Sequence, residues 1–353
     1  MSHEPLRILD ASLNRATEGL RVVEDYARFV LNDPHLTTLA KGLRHDLATA
    51  AERLPAGQRH AMRDTQQDVG ATITTASETE RNDAWHVCAA SLKRVEQSLR
   101  SLEEYGKLID GQFSATVEQL RYRTYTLEKA LDSTRTSCER LAGANLCVLV
   151  DGCRDEKKFR QLVEGLLAAG VGMIQLRDKG LAGRELASRA RMLVKATRNS
   201  STISIINDRA DIAAAAGADG VHLGQTDLSV HDARSIVGPQ ALIGLSTHKI
   251  EDARQAVLDG ANYLGAGPTF ASKTKSFDEF LGLDDFPGLD YLREVSAEVS
   301  LPTFAIGGIR DENLSAVMAA GVTRIAVSQA VSSSEQPAAA AHGLLSILNA
   351  QQT

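Results

Sequence analysis

From about residue 146 onward the chain repeats one rhythm: a short apolar run, a polar turn, an amphipathic stretch, then another apolar run. The runs fall at 146–151, 172–177, 203–207, 220–223, 241–246, 263–267, 303–306 and 325–328. Amphipathic segments at 156–169, 183–197, 251–258 and 312–319 lie between them. Parallel strands need a crossover to return to the same edge, and helices supply it. Eight such units in about 200 residues predict an α/β unit that closes into a (β/α)8 barrel. A doubly wound sheet is the alternative, but it seldom uses eight evenly spaced units.

In such a barrel the strand ends list the site, because the βα loops build it. The second strand ends in Gln175, Arg177 and Lys179, which alternation sends to one side. Asn207 and Asp208 end the third strand, and His222, Gln225 and Asp227 follow the fourth. Ser246-Thr247-His248 ends the fifth. The sixth leads into a loop with Thr269, Ser272, Thr274 and Lys275. Gly307-Gly308 ends the seventh, and Val327-Ser328 the eighth. Singly, each has a commoner structural meaning: a strand-end Asp caps a helix, and a Gly-Gly is a turn. Their coincidence on one rim predicts two anion sites. Asp208 and Asp227 with phosphate oxygens suit Mg²⁺ and a pyrophosphate, with Arg177, Lys179 and Lys275 balancing charge. Gly307-Gly308 and the eighth-strand loop suit a separate monophosphate.

The first 135 residues are different in kind. Leu13, Ala16, Leu20, Val23, Ala27 and Val30 form one stripe of an amphipathic helix. A second copy follows 79 residues later, matching Arg15/Arg94, Arg21/Arg100, Glu24/Glu103 and Tyr26/Tyr105. Leu43-Arg44-His45 recurs as Leu120-Arg121-Tyr122. A duplicated αα-hairpin, and hence an all-α helical bundle, is predicted for residues 1–135. Paired charges usually lace a solvated face. Their repetition also suggests a duplicated polar site. Polar loop composition runs from Arg63-Asp64 through Asp68-Val69-Gly70 to Arg81. Residues 136–144 read as a linker, and 145–353 as the barrel.

Net charge is −6, and residues 1–135 hold 18 Lys and Arg against 20 Asp and Glu. Neither number favours nucleic acid. No run reaches the ~18 apolar residues of a membrane helix, and Met1–Arg7 has no apolar leader region. Cys88, Cys138, Cys147 and Cys153 show no zinc spacing and read as buried or incidental thiols. A soluble, cytoplasmic protein with small-molecule partners, with homo-oligomerisation open, is the expectation.

The barrel motifs resemble those of the thiamine phosphate synthase family. They are Gln175-Leu-Arg-Asp-Lys179, Asn207-Asp208-Arg209, Gly220-Val-His-Leu-Gly-Gln-Thr-Asp227, Gly244-Leu-Ser-Thr-His248, Gly267-Pro-Thr-Phe-Ala-Ser-Lys-Thr-Lys275 and Ile306-Gly-Gly-Ile309. The resemblance implies a TIM barrel joining hydroxymethylpyrimidine diphosphate to thiazole phosphate or its carboxylate. Thiamine phosphate and pyrophosphate would be the products. By motif, Gln175, Arg177, Lys179 and Asn207 would hold the pyrimidine diphosphate, with Ser246 and Lys275 also touching it. Asp208 and Asp227 would ligate Mg²⁺. Ser272, Thr274, Gly307, Gly308, Val327 and Ser328 would receive the thiazole phosphate. Arg177, Lys179, Ser246 and Lys275 would be catalytic, with Lys275 on a lid. A thiazole tautomerase is the nearest alternative, and it has no diphosphate to bind. Residues 6–130 are similar to a helical domain fused upstream of some synthases. That domain is associated with phosphorylating hydroxymethylpyrimidine phosphate, with ATP as co-substrate. There is no P-loop, and a docking or oligomerisation domain is the alternative.

Overall fold

The computed structural model describes residues 4–61, 81–270 and 287–350, and it divides the chain into two compact units, Met1–Asp132 and Ser133–Thr353. The first is helical: α1 (Glu4–Phe29), α2 (Pro34–Ala51), α3 (Ala56–Ala61), α4 (Ala84–Gly106) and the first part of α5 (Gly111–Arg140). Local chemistry sets the starts. Asp33 caps α2 by accepting from Leu36 N at 2.7 Å, with Pro34 as its first helical residue. Asp83 caps α4 by accepting from His86 N at 2.8 Å.

Helix α1 packs against α2 and α4. At the α1–α4 crossing Gly19 is required, because a Cβ there would lie 2.6 Å from Val95 Cγ2. Ala16, Leu20, Val23 and Ala27 are buried as the stripe predicts. Val30 is half exposed, because α1 ends at Phe29 and the helical period no longer applies.

The duplication is visible in side-chain contacts. Buried Glu24 bonds Arg44 on α2 at 2.9 Å and lies 3.8 Å from Arg21. Buried Glu103 bonds Arg121 on α5 at 2.9 Å and Arg100 at 2.7 Å. Each copy thus inserts one carboxylate between an arginine of its own helix and one of the next. Trp85, the chain's single tryptophan, packs 5.6 Å from Tyr26.

In the second unit, residues 136–140, read as linker, continue α5. The run hid its amphipathicity because the buried face is itself polar. Ser133 Oγ donates to Ala261 O at 3.2 Å, Cys138 Sγ to Ser300 O at 3.4 Å, and Asn262 Nδ2 to Ser137 Oγ at 3.0 Å. Leu141 and Ala144 then enter the barrel's apolar interior.

The barrel closes with every neighbour parallel. Its strands are β1 (Leu146–Val150), β2 (Met173–Leu176), β3 (Ile203–Asn207), β4 (Gly220–Leu223), β5 (Leu242–Thr247), β6 (Tyr263–Ala266), β7 (Thr303–Ile306) and β8 (Arg324–Val327). Helices α6 (Glu156–Ala168), α7 (Gly183–Thr197), α8 (Ala210–Ala216), α9 (Val230–Val237), α10 (Ile250–Asp259), α11 (Gly288–Glu298), α12 (Leu314–Ala319), α13 (Gln329–Ser332) and α14 (Pro337–Ala350) complete it. The predicted strands recur within a residue or two at each end.

Cys147 and Leu149, Met173, Ile205, Leu242, Tyr263, Phe304 and Ala326 fill the interior. They occupy alternate strand positions, the period-two pattern of an inward row. Continuing that row toward the C-terminal ends gives Gln175, Asn207, His222, Ser246 and Ser328. The apolar floor therefore carries a polar rim on the same side-chain rows. Cys147 belongs to the floor, and burial pushes its thiol up to about 12.

Candidate active site

Gln175 is buried and pairs in register with Leu149 and Ile205, so it shares their interior face. Beyond β2 the chain is held by Asp178. One of its carboxylate oxygens accepts from Gly152 N at 3.0 Å. The other accepts from Gly180 N at 2.8 Å and Leu181 N at 3.0 Å. Burial raises the Asp178 carboxyl, but these donors and Arg189 bring it below the ordinary range. Sequence reasoning passed over Asp178 in favour of its cationic neighbours. Asp-x-Gly, an Asx-turn pattern, is the signal that marks it. The anchor fixes the backbone between Arg177 and Lys179.

Strand β3 ends abruptly. Asn207 pairs with His222, while Asp208 adopts φ +61° and donates its N–H to His222 O at 2.8 Å. Left-handed backbone at a non-glycine residue is strained, and such strain gathers at functional positions. After β4, Asp227 turns back so that its carboxylate accepts from Gly224 N at 2.7 Å. Its side chain also meets that of Asp208. Burial, then contact with Asp227, pushes the Asp208 carboxyl up to about 6, against the pull of Lys179 and Arg177. These four groups, drawn from three separate motifs, thus share one field. Among the described residues no group of three or more His, Cys, Asp or Glu forms a metal cluster.

Ser246 lies beside this group. His222 Nε2 is 3.0 Å from Ser246 Oγ, and the Gln225 side-chain amide donates to Ser246 O. His222 Nδ1 faces the Tyr263 hydroxyl at 3.3 Å. Tyr263 went unpredicted because it starts a strand in an apolar run, where an aromatic reads as core. His248 turns aside, its Nδ1 against Gly267 O and its backbone N–H bonded to Asp252.

Gly307 and Gly308 follow β7 with φ +103° and +66°, and Gly307 could not carry a Cβ without lying 2.9 Å from Pro268 Cα. Phe270 N donates to Gly307 O at 2.9 Å, and Asn313 Nδ2 to Gly308 O at 2.9 Å. Val327 is buried and alternates with interior Ala326, so its side chain faces the helical layer. Only its backbone can serve the rim. Ser328 opens α13. These positions sit on the β7 and β8 ends, and among the described residues no side-chain bond ties them to the Asp208 group. Ser272, Thr274 and Lys275 lie outside the described residues, as do Arg63, Asp64 and Asp68 to Gly70.

A closed parallel barrel with carboxylates, cations and hydrogen-bond donors at its C-terminal rim defines a (β/α)8-barrel enzyme of small molecules. A Thiamine monophosphate synthase family model matches residues 146–331, and a ThiD2 family model matches residues 7–130. The chain is 44% identical to the thiamine-phosphate synthase of Rhodopirellula baltica, covering 98% of this chain and 93% of the relative. It is 40% identical to that of Gloeobacter violaceus, covering 98% and 97%. Among solved structures, thiamine phosphate pyrophosphorylase from Pyrococcus furiosus superposes with TM-score 0.52 at 32% identity, covering 60% of this chain and 98% of that one. The chain belongs to the thiamine-phosphate synthase family, and its place is in thiamine biosynthesis. No helix among the described residues is long and apolar enough to cross a membrane.

Proposed function

We propose that the barrel joins 4-amino-2-methyl-5-hydroxymethylpyrimidine diphosphate to 4-methyl-5-(2-phosphoethyl)thiazole, or its carboxylate, at the rim of β2 to β5. The observation that carries this is the meeting of Asp208 and Asp227 beneath the field of Arg177 and Lys179. Two opposed carboxylates fit a divalent ion that keeps phosphate oxygens among its ligands, as Mg²⁺ does. When bound, Mg²⁺ supplies charge neutralisation for the diphosphate.

The chain's own residues do the rest. Arg177 and Lys179 bind the diphosphate and stabilise the negative charge that grows as pyrophosphate departs. Gln175 and Asn207 orient the pyrimidine, and Ser246 donates to the substrate. Lys275 adds a further cation. Departure leaves positive charge on the pyrimidine methylene, stabilised by the electron-rich ring. The thiazole nitrogen offers its lone pair to that carbon, so no general base is needed. The rim accordingly offers anion holders, and the reaction asks no base of the His222–Ser246 pair. Gly307, Gly308, Ser328 and the Val327 backbone, with Ser272 and Thr274, receive the thiazole phosphate.

For the helical unit the reading is phosphorylation of hydroxymethylpyrimidine phosphate with ATP, which would supply the barrel's substrate. The ThiD2 family match supports it. The repeated Arg–Glu pairs do not, since they bond one another. One assay tests both readings. Full-length protein is given thiazole phosphate and Mg²⁺ with either the pyrimidine diphosphate or the monophosphate plus ATP, and thiamine phosphate is measured by mass spectrometry. Product from the diphosphate supports the barrel reading, and chelation should abolish it. Product from the monophosphate with ATP supports the kinase; its absence there alone leaves a one-reaction enzyme with an accessory helical unit.

A further inference from the structure

Three side chains on adjacent strands form a hydrogen-bonded row from the barrel's core to its rim. Tyr263 on β6 puts its hydroxyl 3.3 Å from His222 Nδ1 on β4, and His222 Nε2 lies 3.0 Å from Ser246 Oγ on β5. Two glycines make the room. A Cβ on Gly244 would overlap both the Tyr263 ring and His222 Nδ1, and one on Gly265 would lie 3.0 Å from His222 Cε1. The Tyr263 ring is fixed from below by Phe304, edge to face at 5.5 Å.

Hydrogen-bond counting decides the imidazole tautomer. Tyr263 is 2% exposed, and His222 Nδ1 is the one polar atom its hydroxyl meets among the described residues. Were Nδ1 to carry the proton, the phenol could only accept, and its own buried hydrogen would lack an acceptor. Tyr263 therefore donates to Nδ1, which puts the imidazole proton on Nε2. Nε2–H then donates to Ser246 Oγ. The Ser246 hydroxyl hydrogen has no other acceptor among the described residues and is left to point along the rim. Its backbone is steadied by the Gln225 amide on Ser246 O. The opposite tautomer would draw the Ser246 hydrogen back onto Nε2 and turn a lone pair toward the rim, which is wrong for an anion.

We propose that Tyr263 is a positioning residue: it holds His222 as the Nε2–H tautomer, so that Ser246 presents its hydroxyl as a donor to an anionic diphosphate substrate. The proposal rests on the reading of this rim as the diphosphate site. Tyr263 touches no substrate and acts only through His222.

The test combines a spectroscopic and a kinetic readout on the full-length chain. With ¹⁵N-histidine labelling, and His222→Gln to assign the signals, wild-type His222 should show a protonated Nε2 and an unprotonated Nδ1. Tyr263→Phe keeps the ring and should shift both nitrogens toward averaged values. In synthesis from supplied diphosphate, Tyr263→Phe should lower kcat about tenfold, the scale of one hydrogen bond. Combined with Ser246→Ala it should add nothing further, since both act at one hydroxyl. A wild-type Nδ1–H imidazole, or additive losses in the double variant, would overturn the proposal while leaving the diphosphate reading intact. Full activity in Ser246→Ala with the Nε2–H signals in place would overturn the diphosphate reading at this rim, and the role of Tyr263 with it.

Discussion

Carboxylates held close to other charges occur in both units, and they are treated in opposite ways. In the helical unit Glu24 and Glu103 are each set between two arginines, and the like-charged pair Glu96 and Glu128 is bridged by Lys93 Nζ at 3.1 and 2.8 Å. In the barrel Asp208 meets another carboxylate directly. Arg177 and Lys179 are near enough to act on it, but no salt bridge joins them among the described residues. A charge whose partner sits within hydrogen-bonding reach contributes to the fold. One set against its own sign, on strained backbone, costs the fold something and waits for a ligand. Charge balance, more than charge itself, separates architecture from site.

That contrast predicts different responses to truncation. The largest effect is expected at the rim. Asp208→Ala or Asp227→Ala should reduce thiamine phosphate synthesis at least about a hundredfold, since stabilisation of the leaving group is lost. The same variants should keep or raise the barrel's melting temperature, because a like-charge contact is relieved. Full turnover with a lowered melting temperature would place these acids with the structural charges instead.

Next in size is the helical unit. Arg121→Ala leaves Glu103, 4% exposed, with solvent-facing Arg100 as its one ion-pair partner among the described residues, and should destabilise the unit by about 2–3 kcal/mol. Trp85 fluorescence in urea reports that unit selectively, because no other tryptophan exists. Arg44→Ala should cost less, about 1–2 kcal/mol, since Arg44 is the more exposed of the two inter-helix arginines. Neither change should alter synthesis from supplied diphosphate. A matched loss of activity would show that these pairs do more than brace helices.

Much of this was legible in sequence for a physical reason: period-two rows and strand-end motifs are local patterns, and a barrel turns local order into spatial order. Gln175, Asn207, His222 and Ser246 fall on one rim because each continues an apolar row whose inward face is already fixed. What stayed hidden depended on partners distant in sequence. Tyr263 reads as core until His222 is seen against it, and residues 136–140 read as linker because Ser137 and Cys138 bond groups more than a hundred positions away. The repeated Arg21/Arg100 and Glu24/Glu103 were visible, yet their meaning turned on Arg44 and Arg121, supplied by the following helices.

The smallest predicted effect is the sharpest check on the role of burial. Arg100 lies 2.7 Å from Glu103 and Arg21 3.8 Å from Glu24, so distance alone would rank Arg100 well ahead. Both arginines are about half exposed, at 57% and 49%, and water screens their charge whatever the spacing. Arg100→Ala and Arg21→Ala should therefore each cost no more than about 0.5 kcal/mol, the ordinary range for an exposed i,i+3 pair. The buried inter-helix arginine should carry the difference between the copies, which urea titrations of the four single variants measure directly. If Arg100→Ala cost as much as Arg121→Ala, proximity rather than desolvation would govern these pairs, and the contrast with Asp208 and Asp227 would need another cause.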